Sequence, residues 1–257
     1  MDPSTDALVT RLRAAGCVFA EDEAAVLRST ARDDAHLEAM TARRAAGEPL
    51  EHVVGWAELC GVRIGVEPGV FVPRQRSALL VRTAAALVQP GDVVLDLCCG
   101  TGALGLAVAT LVPGVTVHAS DIDAVAVACA RRNLAAVGGT AEVGDLFGAV
   151  PEHLRGDVAV VVANVPYVAT RDLALLPHEA RDHEPVATLD GGEDGLDLAR
   201  RVVAEARDWL RRNGSVLVET TDEQAPVLER WAREHGGAPR TIVDDDLDAT
   251  VVATTYG

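Results

Sequence analysis

The sequence predicts an α/β protein, a mainly parallel seven-stranded sheet with helices on both faces, preceded by a small helical domain and a β-hairpin bridge. Three observations predict it. From residue 92 onward short apolar runs of strand length alternate with helical patterns, the signature of a parallel sheet. The first 46 residues carry only helical periodicity. The chain has 257 residues, of which 49% are hydrophobic and 3% aromatic, so it can bury a large core built from Val, Leu and Ala.

Leu8, Leu12, Ala15, Ala24, Ala25, Leu27, Leu37 and Met40 recur at helical spacing, with Asp22 and Asp33 as candidate N-caps. Gly47-Glu48-Pro49 closes this region. From His52 to Val72, β-branched runs punctuated by Gly55, Gly61, Gly65 and Gly69 predict one or two hairpins. A helix is expected over about 76–88. Strands follow at Val93–Leu97, Thr116–Ser120, Thr140–Val143, Val158–Ala163, Ser215–Thr220, Arg240–Val243 and Thr250–Thr254. Helices are expected at 103–112, 123–137, 196–212 and 223–235. No helix separates the last two strands, only Asp244-Asp245-Asp246, so they should form an antiparallel hairpin at the sheet edge. The divisions expected are 1–48, 49–72 and 73–257.

With 39 acidic against 23 basic residues the formal charge is −16, which opposes a polyphosphate partner. The pairs Arg43-Arg44, Arg131-Arg132, Arg200-Arg201 and Arg211-Arg212 fall on helical patterns and read as solvated faces. No apolar run is long enough to cross a bilayer and the first residues are acidic, so a cytoplasmic protein is expected. Cys17, Cys60, Cys98, Cys99 and Cys129 show no metal-ligand spacing, and no metal is expected. The adjacent Cys98-Cys99 read as small turn residues, with redox chemistry as the alternative.

The segment Val93-Val94-Leu95-Asp96-Leu97-Cys98-Cys99-Gly100-Thr101-Gly102 is a strand, an acid near its end, and a small-residue turn entering a helix. Glycine there admits close backbone approach to a ligand, and the helix N-terminus presents unpaired N–H groups. Asp121 ends the next strand, where an acid can accept from both ribose hydroxyls. Asp145 follows the third strand, placed to take an adenine amine while Leu146 covers the ring. Gly100, Gly102 and Gly105 also satisfy G-x-G-x-x-G, so a nicotinamide dinucleotide is a rival ligand. Against it, Asp96 before the glycines suits a cationic, phosphate-free ligand. The sequence also offers no Tyr-x-x-x-Lys pair for hydride transfer; it contains no lysine.

Val158–Ala163 runs into Asn164-Val165-Pro166-Tyr167. An Asn amide oxygen with a neighbouring backbone carbonyl can accept both hydrogens of a planar –NH2 group, with Tyr167 stacked on it; a plain Asn-x-Pro turn is the alternative. The four residues resemble the Asn-Pro-Pro-Tyr motif of amino-methyltransferases. More specifically, the chain resembles the HemK/PrmC-type protein-(glutamine-N5) methyltransferases, the release-factor glutamine methyltransferases. The likeness runs through Gly47-Glu48-Pro49-Leu50, Val70-Phe71-Val72-Pro73-Arg74, the Cys98–Gly102 loop, His183-Glu184-Pro185, Leu189-Asp190-Gly191-Gly192, Asp194-Gly195-Leu196 and Leu217-Val218-Glu219.

This resemblance implies a class I methyltransferase Rossmann-like sheet and S-adenosylmethionine as cofactor. It implies cofactor contacts from Asp96, Cys98, Cys99, Gly100, Thr101, Gly102, Asp121, Ile122, Asp145, Leu146 and Asn164. The acceptor would be held by Phe71, Pro73, Arg74 and Asn164 to Tyr167, with Asn164, Pro166 and Tyr167 in the catalytic role. The implied acceptor is a glutamine amide in a protein such as a peptide-chain release factor, presented by the N-terminal helices, which could equally be a stabilising cap. Three departures mark a divergent branch: Val165 stands for Pro, Cys98 for a loop glycine, and Pro73-Arg74-Gln75-Arg76-Ser77-Ala78 for Pro-Arg-Pro-Glu-Thr-Glu. The lost acids keep a small-molecule acceptor open as the alternative, with a nucleic-acid base disfavoured by charge.

Overall fold

A computed structural model describes residues 3–175 and 185–257. The chain opens with α1 (Pro3–Ala14), α2 (Ala20–Thr30) and α3 (Asp34–Ala45), followed by the short α4 (Leu50–Val54). Leu8, Leu12, Ala20, Ala24, Leu27, Met40 and Val53 form a core of their own. Asp33 caps α3, its side chain accepting from His36 N–H. Asp22 caps nothing: α2 begins at Ala20 and Asp22 lies in its first turn, where a carboxylate faces the positive end of the helix dipole.

One hairpin follows, β1 (Trp56–Leu59) with β2 (Val62–Gly65). Residues 52–54, expected as strand, are helical instead, because Val53 packs into the N-terminal core and Gly55 ends the turn at φ +80°. The expected helix at 76–88 is a 3₁₀ turn, Gln75–Ser77, running into α5 (Ala78–Ala85).

The main sheet has seven strands in the order β5-β4-β3-β6-β7-β9-β8. They are β3 (Val93–Leu97), β4 (Thr116–Asp121), β5 (Thr140–Val143), β6 (Val158–Ala163), β7 (Leu210–Thr220), β8 (Ala238–Asp244) and β9 (Ala249–Thr255). The first five are parallel, and β8 and β9 form the expected antiparallel hairpin at one edge. Between them run α6 (Ala103–Leu111), α7 (Ala124–Leu134), α8 (Asp197–Ala206) and α9 (Ala225–Glu234). Alternate residues of β3 enter opposite layers: Val94 packs with α5 and α6, whereas Val93, Leu95 and Leu97 pack with α8 and α9.

The strand β7 begins at Leu210, earlier than the expected Ser215, and takes Arg211 and Arg212 out of the preceding helix. Leu210 pairs with Val158, and Arg211 forms an ion pair with the buried Asp92. The chain order reverses at β3, which lies between β4 and β6, and the crevice beyond the carboxyl ends of strands at such a point is where α/β sheets bind ligands.

Candidate active site

A cavity of ≈ 850 Å³ opens at that crevice. Its wall includes Cys98, Cys99, Gly100 and Thr101 from the loop after β3, Asp121 and Ile122 from the end of β4, and Asp145 and Leu146 after β5. Asn164, Val165, Pro166 and Tyr167 after β6 complete it, with Phe71, Pro73 and Arg74 from the segment before α5. Residues from five separate segments of the chain thus meet in one space, which has the volume of a site for a cofactor-sized ligand.

Two expected members stand elsewhere. Asp96 is completely buried and does not line the cavity. Its Oδ2 accepts from Gly105 N–H at 2.9 Å, tying the first turn of α6 to the sheet, while Oδ1 is buried without a partner. Burial, with the charge of Asp121 nearby, pushes its pKa up to about 8, so the group is neutral at neutral pH and offers no charge to a cation. Gly102 also lies off the cavity. It adopts φ +73°, and a Cβ there would come within 3.1 Å of Ala130, so its role is the contact between loop and α7. Gly105 is fixed in the same way, since a Cβ would meet Val117 at 2.6 Å.

The carboxylate of Asp121 is held before any ligand arrives. Oδ2 accepts from Gly100 N–H and Oδ1 from Asp123 N–H, both at 2.9 Å, so the acid that would receive a ribose also ties down the loop after β3. Asp145, expected to face an adenine amine, forms an ion pair with Arg201 of α8 at 2.9 Å, and both lie at the cavity wall. Ile122 is 72% exposed within that wall, an apolar side chain without cover. Cys98 and Leu146 both sit in the left-handed region, at φ +53° and +48°, where a side chain strains the backbone. Burial first, then the neighbouring carboxylates, raises the Cys98 thiol to about 12 and holds Cys99 well above its usual value. Both remain neutral thiols, which accords with turn-filling and opposes a thiolate redox role.

The Asn164–Tyr167 loop is braced from behind. Gln224 donates to Tyr167 O at 2.8 Å and Gly191 N–H to Val168 O at 2.8 Å. A Cβ at Gly191 would lie 2.6 Å from Pro166 O, and one at Gly195 2.2 Å from Tyr167 O. The Asp190–Gly195 segment is therefore glycine-rich because it lies directly on this loop. His183 and Glu184 fall outside the described residues. Val165 buries its side chain in the core beside β6, so the substitution for Pro is absorbed by packing.

The amide of Asn164 points its nitrogen away from solvent, donating to Ser77 Oγ at 3.2 Å and Glu219 Oε1 at 3.4 Å. Arg76 donates to Glu219 at 3.2 Å and to the Tyr167 hydroxyl, its guanidinium 5.5 Å from the ring centroid. Arg76, Ser77 and Arg201 line the cavity and Glu219 backs it, yet none was expected in the site from sequence. Arg76 and Ser77 were visible as departures from the family pattern. Arg201 looked like any solvated helix residue, and no local signal marks it.

S-adenosylmethionine combines a sulfonium, an amino acid, a ribose and an adenine, and the residues present fit it. The Asp121 carboxylate, the apolar side chains of Ile122 and Leu146 and the small-residue turn Cys98–Thr101 all line the same cavity, which suits a ligand with hydroxyls, a flat ring and a chain close to the backbone.

The methyltransferase small domain family matches residues 61–178. The release factor glutamine methyltransferase of Streptomyces coelicolor is 41% identical over 195 residues, covering 74% of this chain and 69% of that protein. Its counterpart in Gloeobacter violaceus is 35% identical over 223 residues, covering 82% and 77%. Among solved structures, a 16S rRNA methyltransferase of T. thermophilus in complex with AdoMet and guanosine superposes with a TM-score of 0.57 at 24% identity, covering 79% of this chain and 50% of that one. That likeness shows the fold.

Proposed function

The chain belongs to the family of release factor glutamine methyltransferases, with S-adenosylmethionine as methyl donor, and from that premise we propose that it methylates a glutamine side-chain amide in a peptide-chain release factor. The observation that carries this reading is the shared cavity: the Asn164–Tyr167 loop lies in one wall with Cys98–Thr101 and Asp121. When bound, the donor supplies an electrophilic methyl group on a positively charged sulfur. The protein's part is alignment, worth several orders of magnitude when the reacting atoms are held in line.

In this reading Cys98–Thr101, Asp121, Ile122, Asp145 and Leu146 hold the donor. Asn164 Oδ1 and the Val165 or Pro166 carbonyl accept the two hydrogens of the target –NH2 group and so fix its nitrogen. Tyr167 packs on the flat amide, with its hydroxyl held by Arg76. No base is needed before transfer, because the nitrogen can release its proton to water afterwards. Phe71, Pro73 and Arg74 form the acceptor's entrance, with Arg74 5.3 Å from the Phe71 ring centroid. The first helices have a core of their own, and because Val53 packs into it with Leu50 and Val54 beside it, a division after α4 fits better than one at 48/49. A release factor acts in translation, so the cytoplasm is the expected place of action.

The test is transfer of a labelled methyl group from S-adenosylmethionine, offered first to a release factor and then to whole lysate. Label on a glutamine amide nitrogen supports the proposal. Label confined to nucleic acid or to small metabolites overturns it.

A further inference from the structure

The geometry points to Glu219 as a positioning residue for methyl transfer: its carboxylate holds the Asn164 amide nitrogen, so that the carbonyl oxygen of Asn164 is the atom presented to the acceptor. This rests on the proposed role of Asn164 and adds the residue that sets its orientation.

The register brings the two together. In the parallel pairing of β6 with β7, Ala163 lies opposite Val218, so the next residues, Asn164 and Glu219, are neighbours at the carboxyl ends of adjacent strands. A carboxamide has a donor end and an acceptor end of nearly the same shape, and nothing intrinsic decides which faces a ligand. An ionised carboxylate only accepts, so Glu219 selects the nitrogen end. Ser77 adds to the choice: its oxygen accepts from Asn164, and its own hydrogen bond favours the charged form of Glu219.

Glu219 is 2% exposed, and burial raises its pKa above the ordinary range. The opposing groups are few. From the 3₁₀ turn before α5, Ser77 lowers the pKa most, and Arg76, which donates to Glu219, lowers it further. Just beyond β6 it meets Asn164, and from β9 its register partner is Val251. From the loop after β6 comes Tyr167, whose hydroxyl the same Arg76 holds. Once protonated, Glu219 can itself donate, and the Asn164 amide is no longer obliged to face it with nitrogen.

The experiment compares wild type, Glu219→Gln, Ser77→Ala, Asn164→Ala and the Glu219→Gln/Asn164→Ala pair. Donor affinity is measured by calorimetry, turnover on a glutamine-containing release factor across pH, and the Asn164 side-chain –NH2 signal by NMR without acceptor. Glu219→Gln should keep donor affinity within about threefold yet lower kcat about tenfold or more, with KM little changed. Wild-type kcat should fall on acidification toward the value of the Gln variant, which should itself be flat in that range. The double variant should be no slower than Asn164→Ala, since Glu219 acts through Asn164. Ser77→Ala, a milder change, should lower kcat less. The Asn164 –NH2 signal should titrate in wild type and stay fixed in Glu219→Gln.

An Asn164 signal that behaves alike in both proteins overturns the assignment, as do losses that multiply in the double variant or a wild-type kcat in Glu219→Gln. If wild type methylates no glutamine while the Asn164 signal still follows Glu219, the acceptor reading has failed and the positioning role stands.

Discussion

Asp121 carries two duties in one carboxylate, latching the loop after β3 through Gly100 and standing ready for a ribose. Asp121→Ala should weaken S-adenosylmethionine binding by about 1–3 kcal/mol, as loss of a charged acceptor does. Asp121→Asn should recover part of this, because an amide oxygen still accepts from Gly100 N–H. Calorimetry decides, and tight NAD binding with none of S-adenosylmethionine would refute the cofactor assignment. Cys98 illustrates strain at the site. Since it sits at φ +53°, Cys98→Gly should raise stability by about 1 kcal/mol in chemical denaturation. The change should leave donor affinity within a few-fold, whereas a redox role would show as activity lost with the thiol. At this scale the sequence pointed to the loop residues and Asn164, because residue type suggests their chemistry, and the structure brings them to one cavity. It misplaced Asp96, because the letter alone cannot distinguish an acid facing a cavity from one tying a helix to a sheet.

The buried strands β3, β6 and β9 show in their apolar runs, and the ends shift wherever a tertiary contact outweighs the local pattern. Leu210 joins β7 because it pairs with Val158, a contact 52 positions away that no local window contains. Helix α6 shows what the glycines of G-x-G-x-x-G do here: Gly102 and Gly105 serve packing, and only Gly100 lines the cavity. Gly105→Ala should therefore destabilise the fold by about 1–3 kcal/mol, since its Cβ would press on Val117 at 2.6 Å and Asp96 at 3.2 Å. Thermal unfolding is the readout, and an unchanged midpoint would contradict the close approach of α6 to β4. The glycines of 191–195, by contrast, carry no local mark of their purpose, because Gly191 and Gly195 lie against Pro166 O and Tyr167 O in a loop distant in sequence.

Across the whole molecule, charge and topology constrain different things. The charge of −16 disfavours a nucleic-acid partner, while the strand order places the cavity beside β3. The buried Asp96 gives the fold a pH signature. Its pKa is about 8 in the folded chain against 3.8 for an ordinary Asp, so between these values the folded state holds the extra proton. That contribution to stability is full below the lower value and is lost as pH rises through the upper one. Asp96→Asn, which keeps an oxygen for Gly105 and a neutral partner for it, should flatten this decline between about pH 4 and 8. An identical pH slope in both proteins would show that Asp96 is charged when folded.

The measurement that bears most directly on the account is methyl transfer by Asn164→Ala beside wild type, with labelled S-adenosylmethionine and a release factor as acceptor. Donor affinity should stay within about tenfold while turnover falls by about two orders of magnitude or more, because the lost interaction is made at the transferring nitrogen. Mass spectrometry should place the wild-type methyl group on a glutamine amide. If Asn164→Ala methylates the same glutamine at the wild-type rate, the loop after β6 is only a turn, and the assignment of the reaction to that wall of the cavity is wrong.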